Sequence, residues 1–168
     1  MSRFLAAIYS GEVLMQATGG LPHVGAELIS IMAGGQQFAI DIMSVREIRG
    51  WTASTPLPHA PSHVLGMINL RGSILPVVDL ASRLGLGMAT PNQSSVVVVT
   101  QIHDREVGLL VDAVCDILTV TENMLHEPPD VGADQVREFV DAVMSTDEGI
   151  VSLLSLDNVL PKSLALAA

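Results

Sequence analysis

The chain has 168 residues, of which 49% are hydrophobic and only 15% charged, and its formal net charge is −10. This length and apolar content predict a single globular protein with a substantial core and exclude a disordered chain. Eighteen acidic residues against eight basic ones also disfavour nucleic-acid binding, because such a chain repels a phosphate backbone.

The single cysteine, Cys115, excludes an internal disulfide and a cysteine metal cluster. It follows Val114 in an apolar run, which predicts a buried, unreactive thiol. No stretch approaches the roughly 20 apolar residues of a membrane-spanning helix, and the amino terminus lacks a convincing signal-peptide cleavage site. The sequence therefore favours a cytoplasmic protein with no direct membrane insertion.

The first regular elements are expected after a poorly ordered arm at residues 1–25. Residues 27–32 and 37–42 have the composition of strands, and the glycine pair at 34–35 between them is a hairpin turn signal. A loosely ordered arm followed by a β-hairpin is the predicted start of the fold.

The stretch at residues 59–80 organises the rest of the chain and is predicted to form two strands that meet at Gly72. Side chains of a strand alternate between its faces, so Ile68 and Leu70 share the core face. Met67, Asn69 and Arg71 share the other face, which places an amide and a guanidinium outside, next to a glycine turn. This arrangement predicts a docking surface.

Three residues further along define how this stretch ends. Pro76 lacks a backbone donor, which predicts that its strand lies at a sheet edge or at a bulge. Asp79 fits the N-cap of a short helix, and Gly85 fits its left-handed stop.

The second half repeats the character of the first. Residues 95–102 contain four consecutive valines and are predicted to form a strand buried on both faces, followed by a returning strand at 107–111. A hairpin is expected at residues 136–156, then a helical turn at 157–162 and a short tail at 162–168.

An internal duplication is indicated by matches at nearly constant spacing. Residues 38–40 align with 107–109 at a shift of 69, and residues 73–78 align with 149–154 at a shift of 76. Many short strands that occur twice favour two small β-barrels. We expect one duplicated domain at residues 26–161, with interleaved subdomains at roughly 26–90 and 91–161.

An enzyme is the main alternative to a binding protein, because His59, His63 and Asp79 fall within the central stretch. Pro61 separates the two histidines, so a helical pair that converges on a metal is disfavoured. Phosphate-binding, hydrolase and zinc-protease motifs are not found in the sequence. The expectation is a protein without catalytic residues, metal ligands or cofactor.

Three motifs together resemble the CheW family of bacterial chemotaxis coupling proteins. They are Phe38-Ala-Ile-Asp-Ile-Met-Ser-Val-Arg-Glu-Ile, Gly66-Met-Ile-Asn-Leu-Arg-Gly-Ser-Ile-Leu-Pro-Val-Val-Asp-Leu and Val107-Gly-Leu-Leu-Val-Asp-Ala-Val-Cys-Asp-Ile-Leu. The resemblance implies a mainly β fold of two SH3-like five-stranded β-barrels packed side by side, with a few short helices. It also implies a non-catalytic adaptor that links the tips of methyl-accepting chemoreceptors to the regulatory domain of the histidine kinase CheA. Such an adaptor is cytoplasmic and joins membrane receptor arrays through its partners.

The receptor-binding residues of the family carry over to Val45, Glu47, Gly66, Asn69 and Arg71. Arg71 offers a planar fork of donors for a partner carboxylate or carbonyl, and Gly66 lets a partner backbone approach closely. Each also has a purely structural alternative. Gly66 could be a strand-entry turn, Val45 could belong to the core, and Glu47 could pair with Arg71 on the surface.

Kinase-binding residues are expected in two segments that match each other across the duplication, with core strands as the alternative. The candidates are Phe38, Ile40, Val107, Gly108 and Leu109. Two other functions stay open at this point: a coupling protein of a pili or other CheA-like pathway, and a small β-barrel that binds peptides outside chemotaxis.

Overall fold

A computed structural model describes residues 21–52, 54–88, 90–102, 104–128 and 138–159. Most of the expected arm (residues 1–20), the tail at 162–168 and the end of the predicted helical turn lie outside these ranges.

The described residues form eleven strands and two short helices, with a 3-10 turn at Ile42–Ser44 before β3. The strands are β1 (Glu27–Ala33), β2 (Gln36–Asp41), β3 (Val45–Gly50), β4 (Val64–Leu70), β5 (Ser73–Asp79), β6 (Val96–Ile102), β7 (Arg105–Val111), β8 (Ala113–Thr119), β9 (Leu125–His126), β10 (Val140–Thr146) and β11 (Gly149–Leu154); the helices are α1 (Leu80–Arg83) and α2 (Leu156–Val159).

The strands form two sheets, with the orders β8-β1-β2-β11-β10-β9 and β3-β6-β7-β5-β4. The chain also divides into two compact units. The first unit contains the described residues up to Ser30, then Gln37–Ile42 and the residues from Asp116 onward, and the second contains Ile31–Gln36 and Met43–Cys115. All five strands of the second sheet lie in the second unit, which therefore holds every residue expected to bind a receptor.

Strand pairing repeats between the two sheets and confirms the duplication. The β4–β5 pair has Val64 opposite Val78, and the β10–β11 pair has Val140 opposite Leu154, a shift of 76 in both strands. Both pairs contain a bulge at the next position, before Gly66 and before Ala142. A bulge at equivalent positions of both pairs indicates a repeated structural unit rather than a chance likeness of aliphatic strands.

The expected division into subdomains near residue 90 is wrong, because strands from both sides of this position pair in one sheet. β5 pairs in parallel with β7 through Val77 and Gly108, and β3 pairs with β6 through Ile48 and Val98. β6 and β7 therefore complete the sheet that β3, β4 and β5 begin. Each sheet takes strands from both repeats, because a parallel neighbour must come from a distant part of the chain.

Aliphatic side chains fill a separate core in each unit, as the scarcity of aromatic residues predicts. In the second unit the core cluster comprises Ile68, Leu75, Val77, Val97, Val99 and Leu110. In the first unit it comprises Leu28, Ala39, Val120, Leu125, Ala142, Met144, Val151 and Leu153. The core of the second unit holds the inner face of β4 and β5, so the outer face of these strands is fixed in position.

Pro76 lies in an interior strand, which corrects the expectation that its strand is at an edge. Both backbone groups of Met67, which is opposite Pro76, bond to Thr55 at 2.8 and 2.9 Å. Pro76, opposite Met67, therefore needs no backbone N–H donor toward β4. The parallel pairing with β7 begins one residue later, at Val77. The bulge that the proline suggested lies in the neighbouring strand, before Gly66.

Cys115 is exposed, so the prediction of a buried thiol is wrong. It lies on β8, at the edge of the first sheet, where three consecutive residues, Cys115 to Ile117, are exposed. The capping predictions are confirmed: the Asp79 carboxylate accepts from the Ser82 N–H at the start of α1, and Gly85 has φ 76° after its end. Across the described ranges, no helix has the length and apolar character needed to cross a membrane.

Candidate functional site

The tip of the β4–β5 hairpin carries the residues on which the site is built. Leu70 and Ser73 are opposite each other, so Arg71 and Gly72 form a two-residue turn with φ of 53° and 87°. Positive φ at both positions is what a type I′ turn requires. The Asn69 side-chain oxygen accepts the Gly72 N–H at 3.0 Å and thereby locks the turn.

Arg71 is strained in this turn. A side chain in the left-handed region costs about 1–2 kcal/mol, and asparagine or glycine usually occupies this position. Strain of this kind persists where a side chain is needed for another purpose. In the structure, the left-handed backbone presents the Arg71 side chain at the tip, where it is 80% exposed.

Glu47 on β3 orients two arginines at once. One carboxylate oxygen lies 3.2 Å from Arg71 Nη2, and the other accepts from Arg49 Nη1 at 3.1 Å. Exposed ion pairs contribute little to stability, at most about 1 kcal/mol each. Their effect here is orientation: two guanidinium groups and one carboxylate form a locally cationic cluster on a chain of net charge −10.

An open surface pocket of ≈ 510 Å³ lies beside this cluster. β3, the residues that follow it and the hairpin tip line this pocket: Glu47, Ile48, Arg49, Gly50, Trp51, Thr52 and Arg71. It combines a half-buried indole with the guanidinium groups of Arg49 and Arg71. A partner segment with an apolar side chain and an oxygen acceptor matches this lining.

Gly66 serves the fold of its own chain. It is buried with φ 152°, and a Cβ at this position would lie 2.2 Å from the carbonyl oxygen of Thr55. The close approach that the sequence suggested therefore exists, but the approaching backbone is Thr55 of this chain. Gly66 lies inside β4, directly after its bulge, and not in the strand-entry turn that was its structural alternative.

Val45 is half-buried at the start of β3, opposite Thr100. The structure thus joins Glu47 to Arg71 directly, and it places Asn69 two residues away in the same hairpin. Val45 and Gly66 shape the strands that carry these groups. Arg49 and Trp51 were not predicted from the sequence, although Arg49 follows Glu47 by two residues and so shares its face of β3.

The expected kinase-binding residues are core residues, which corrects that prediction. Phe38, Ile40, Val107 and Leu109 are at most 2% exposed. Gly108 is buried as well, and a Cβ there would lie 2.8 Å from Val97 Cγ1. Consecutive residues are buried along β2 and along β7, so both faces of each strand are covered at these positions. These side chains are therefore not available for contact with a partner.

His63 and Asp79 have structural roles. The Asp79 carboxylate caps α1, and the His63 carbonyl oxygen accepts the Asp79 N–H at 2.8 Å. Burial, and secondarily the nearby Arg83, lower the pKa of His63, against a smaller opposing effect of Asp79. Its buried Nε2 has no hydrogen-bond partner among the described residues. His59 is exposed in a turn, and within the described ranges no three His, Cys, Asp or Glu residues are grouped to hold a metal ion.

A family model for the CheW-like domain matches residues 27–163. The chain belongs to the CheW family. Chemotaxis protein CheW from Rhizobium meliloti (strain 1021) is 47% identical over 148 residues, which cover 88% of this chain and 96% of that protein. Protein PilI from Pseudomonas aeruginosa is 29% identical over 122 residues, which cover 73% of this chain and 65% of that protein.

Among solved structures, the scaffolding protein TtCheW from Thermoanaerobacter tengcongensis matches with a TM-score of 0.72 at 30% identity. The match covers 79% of this chain and 90% of that chain. It confirms the predicted fold class, a mainly β chain with the two SH3-like barrels of the CheW fold. The described first sheet has one strand more than the five predicted, because the two-residue β9 extends it. The adaptor class expected from the sequence is confirmed by the names of these CheW relatives.

Proposed function

We propose that this protein is a non-catalytic adaptor that couples chemoreceptor cytoplasmic tips to the histidine kinase CheA. The observation that carries the proposal is the exposed Arg71 turn, held by Glu47 and Asn69, in a chain that belongs to the CheW family. A left-handed arginine at a hairpin tip costs stability and is explained by a contact outside the chain.

The receptor-binding surface in this proposal consists of Glu47, Asn69 and Arg71, with Arg49 and Trp51 as additional members. Val45 and Gly66 support it from within β3 and β4. The oriented guanidinium groups would bind carboxylate or carbonyl oxygens of the receptor, and Trp51 would contact an apolar side chain. These are the interactions that the pocket beside the cluster can provide.

The mechanism of such an adaptor is a coupling of binding equilibria. A receptor changes kinase activity through this chain only when its contacts differ between the kinase-on and kinase-off states. No bond is made or broken in this mechanism. Asp79 was the acidic residue considered for catalysis or metal binding. Its carboxylate is buried and caps a helix, which supports a role without catalysis.

The kinase contact is proposed to use the edge strand β8 of the first sheet, where Ile117 is 57% exposed. The regulatory domain of CheA is the proposed partner, and the complex would lie in the cytoplasm beneath the receptor membrane. A pili-type pathway is the second candidate output, because Protein PilI shares sequence over 73% of this chain.

Reconstitution of the proposed signalling complex tests the function. Receptor-containing vesicles and CheA are assayed for kinase autophosphorylation with and without this protein. We expect receptor-dependent activity only when it is present, no ATP hydrolysis by the protein alone and no phosphate on it after the reaction. Full receptor control of CheA in its absence, or phosphotransfer onto it, would overturn the proposal.

A further inference from the structure

Ile74, on the outer face of the β4–β5 hairpin, is a large apolar residue that nothing in the fold requires to be exposed. It is 67% exposed, while the next residue, Leu75, is buried. Single exposed apolar residues are common and need no partner by themselves. What distinguishes Ile74 is its position relative to the receptor-binding residues of the same hairpin.

The register of the hairpin places Ile74 directly opposite Asn69. Directly opposite side chains lie on one face of a sheet, with Cβ atoms about 4.5–5.5 Å apart. The next opposite pair on this face is Met67 and Pro76, both half-buried, so the outer face of the hairpin is an apolar strip that ends at Ile74. The Arg71 turn follows directly at its tip.

We propose that Ile74 is a specificity-determining contact for the receptor, and that it takes an apolar side chain on a receptor α-helix. This inference rests on the proposed function. An amphipathic helix presents an apolar residue beside polar ones at spacings of three or four, and such a helix docks by its apolar anchors. Ile74 supplies the apolar contact, while Asn69 and Arg71 supply polar groups around it.

The duplication provides a matched site that lacks the cationic side chain. Ile150 occupies the position of Ile74 shifted by 76, is 70% exposed and lies opposite Ser145. Its hairpin tip carries Asp147 and Glu148 instead of an arginine. The two hairpins thus expose the same apolar side chain on the same backbone, but only the β4–β5 tip is cationic. An acidic receptor helix face is complementary to this tip alone.

The test is a binary binding measurement between this protein and a soluble receptor cytoplasmic fragment, with no kinase present. Ile74→Thr keeps a β-branched side chain on the strand and removes apolar surface. We expect about tenfold weaker binding, which corresponds to 1.4 kcal/mol, with an unchanged melting temperature. Ile150→Thr is the matched control and should change the dissociation constant by less than about twofold, while Ile74→Val should retain most of the affinity.

Arg71→Ala in the same assay separates failure of this inference from failure of the proposed function. If Arg71→Ala weakens binding and Ile74→Thr does not, Ile74 is not a contact and the proposed function stands. Equal losses for Ile74→Thr and Ile150→Thr, or a lowered melting temperature for Ile74→Thr and Ile74→Val, also overturn the inference. A wild-type protein that does not bind the receptor fragment overturns the proposed function itself.

Discussion

Gly66 is a residue whose conformation and surroundings both exclude a side chain. Its φ is 152°, and an added Cβ would meet the Thr55 carbonyl oxygen and carbon at 2.2 and 2.7 Å. The obstacle is backbone, held by the two hydrogen bonds between Thr55 and Met67, so it cannot move aside cheaply.

Gly66→Ala should therefore lower the free energy of unfolding by about 2–4 kcal/mol, measured by urea denaturation. Gly50→Ala is the control on the same sheet, because a Cβ at Gly50 meets nothing within 4 Å. We expect the control to stay within about 0.5 kcal/mol of wild type. Equal stability of the two variants would show that the approach of Thr55 is not rigid.

His63 makes the stability of the fold depend on pH. Burial lowers the pKa of His63 below its ordinary value of 6.5, so the folded state binds this proton less readily than the unfolded state. The contribution of neutral His63 is fully present above about pH 6.5, and it is lost as the pH falls through 6.5 toward the lowered pKa.

The measurement is the free energy of unfolding between about pH 8 and pH 5.5. It should fall on acidification for the wild type and fall less for His63→Gln, which cannot titrate. The backbone oxygen that His63 offers to Asp79 is kept in this variant. An identical pH dependence for the two proteins would contradict a lowered pKa of His63 in the folded state.

At the scale of elements, the left-handed, exposed Arg71 lowers the stability of the β4–β5 turn. Asparagine followed by glycine is the favoured sequence of a type I′ turn, and Arg71→Asn would produce it. We expect this variant to unfold with a free energy up to about 1 kcal/mol higher than wild type, since the left-handed strain is relieved. Receptor binding should fall, because the guanidinium is lost.

Arg71→Ala and Arg71→Lys complete this comparison. Alanine keeps the left-handed cost and should stay within about 0.5 kcal/mol of wild type in stability, while lysine should restore binding only in part, because it lacks the planar fork. Receptor affinity and thermal denaturation are measured for each variant, which separates the effect on binding from the effect on stability. An arginine-to-asparagine change that destabilises the fold would show that Arg71 is not strained.

The edge strand β8 is the element proposed to meet the kinase. Ile117 is exposed on it, whereas Phe38 lies in an interior strand and is 1% exposed. Ile117→Glu should weaken the binding of CheA at least fivefold and leave the melting temperature unchanged. Phe38→Ala should instead cost about 3–5 kcal/mol of stability. Kinase affinity is measured by titration calorimetry. If Ile117→Glu binds CheA as tightly as wild type, β8 is not part of the interface.

At the scale of the whole molecule, the sequence predicted the duplicated strands because alternation and turn residues act locally. The hairpins at Gly34 and Gly72, the cap at Asp79 and the shift of 76 are all local or repeated patterns. The division into units could not be read in the same way, because sheet membership depends on pairing between distant strands such as β5 and β7. The burial of single residues could not be predicted for a related reason: Val107 and Cys115 both lie in apolar runs, but β7 is covered on both faces and most of β8 is not.

The candidate site was predicted in part. The sequence identified Glu47, Asn69 and Arg71 through the family resemblance, and alternation correctly placed Asn69 outside. It assigned the close approach at Gly66 to a partner, since a contact with Thr55 requires the path of the loop between β3 and β4. It also missed the exposed Ile74, whose position opposite Asn69 depends on the register of the turn.

Bridging of receptor and kinase by one molecule is the central claim, and co-sedimentation of CheA with receptor-containing vesicles tests it most directly. The amount of kinase in the pellet should rise with added wild-type protein, remain near background with Arg71→Ala, and rise as for wild type with Ile150→Thr. Kinase that sediments equally with wild-type protein and with Arg71→Ala, at matched concentrations, would contradict a receptor contact through the β4–β5 turn.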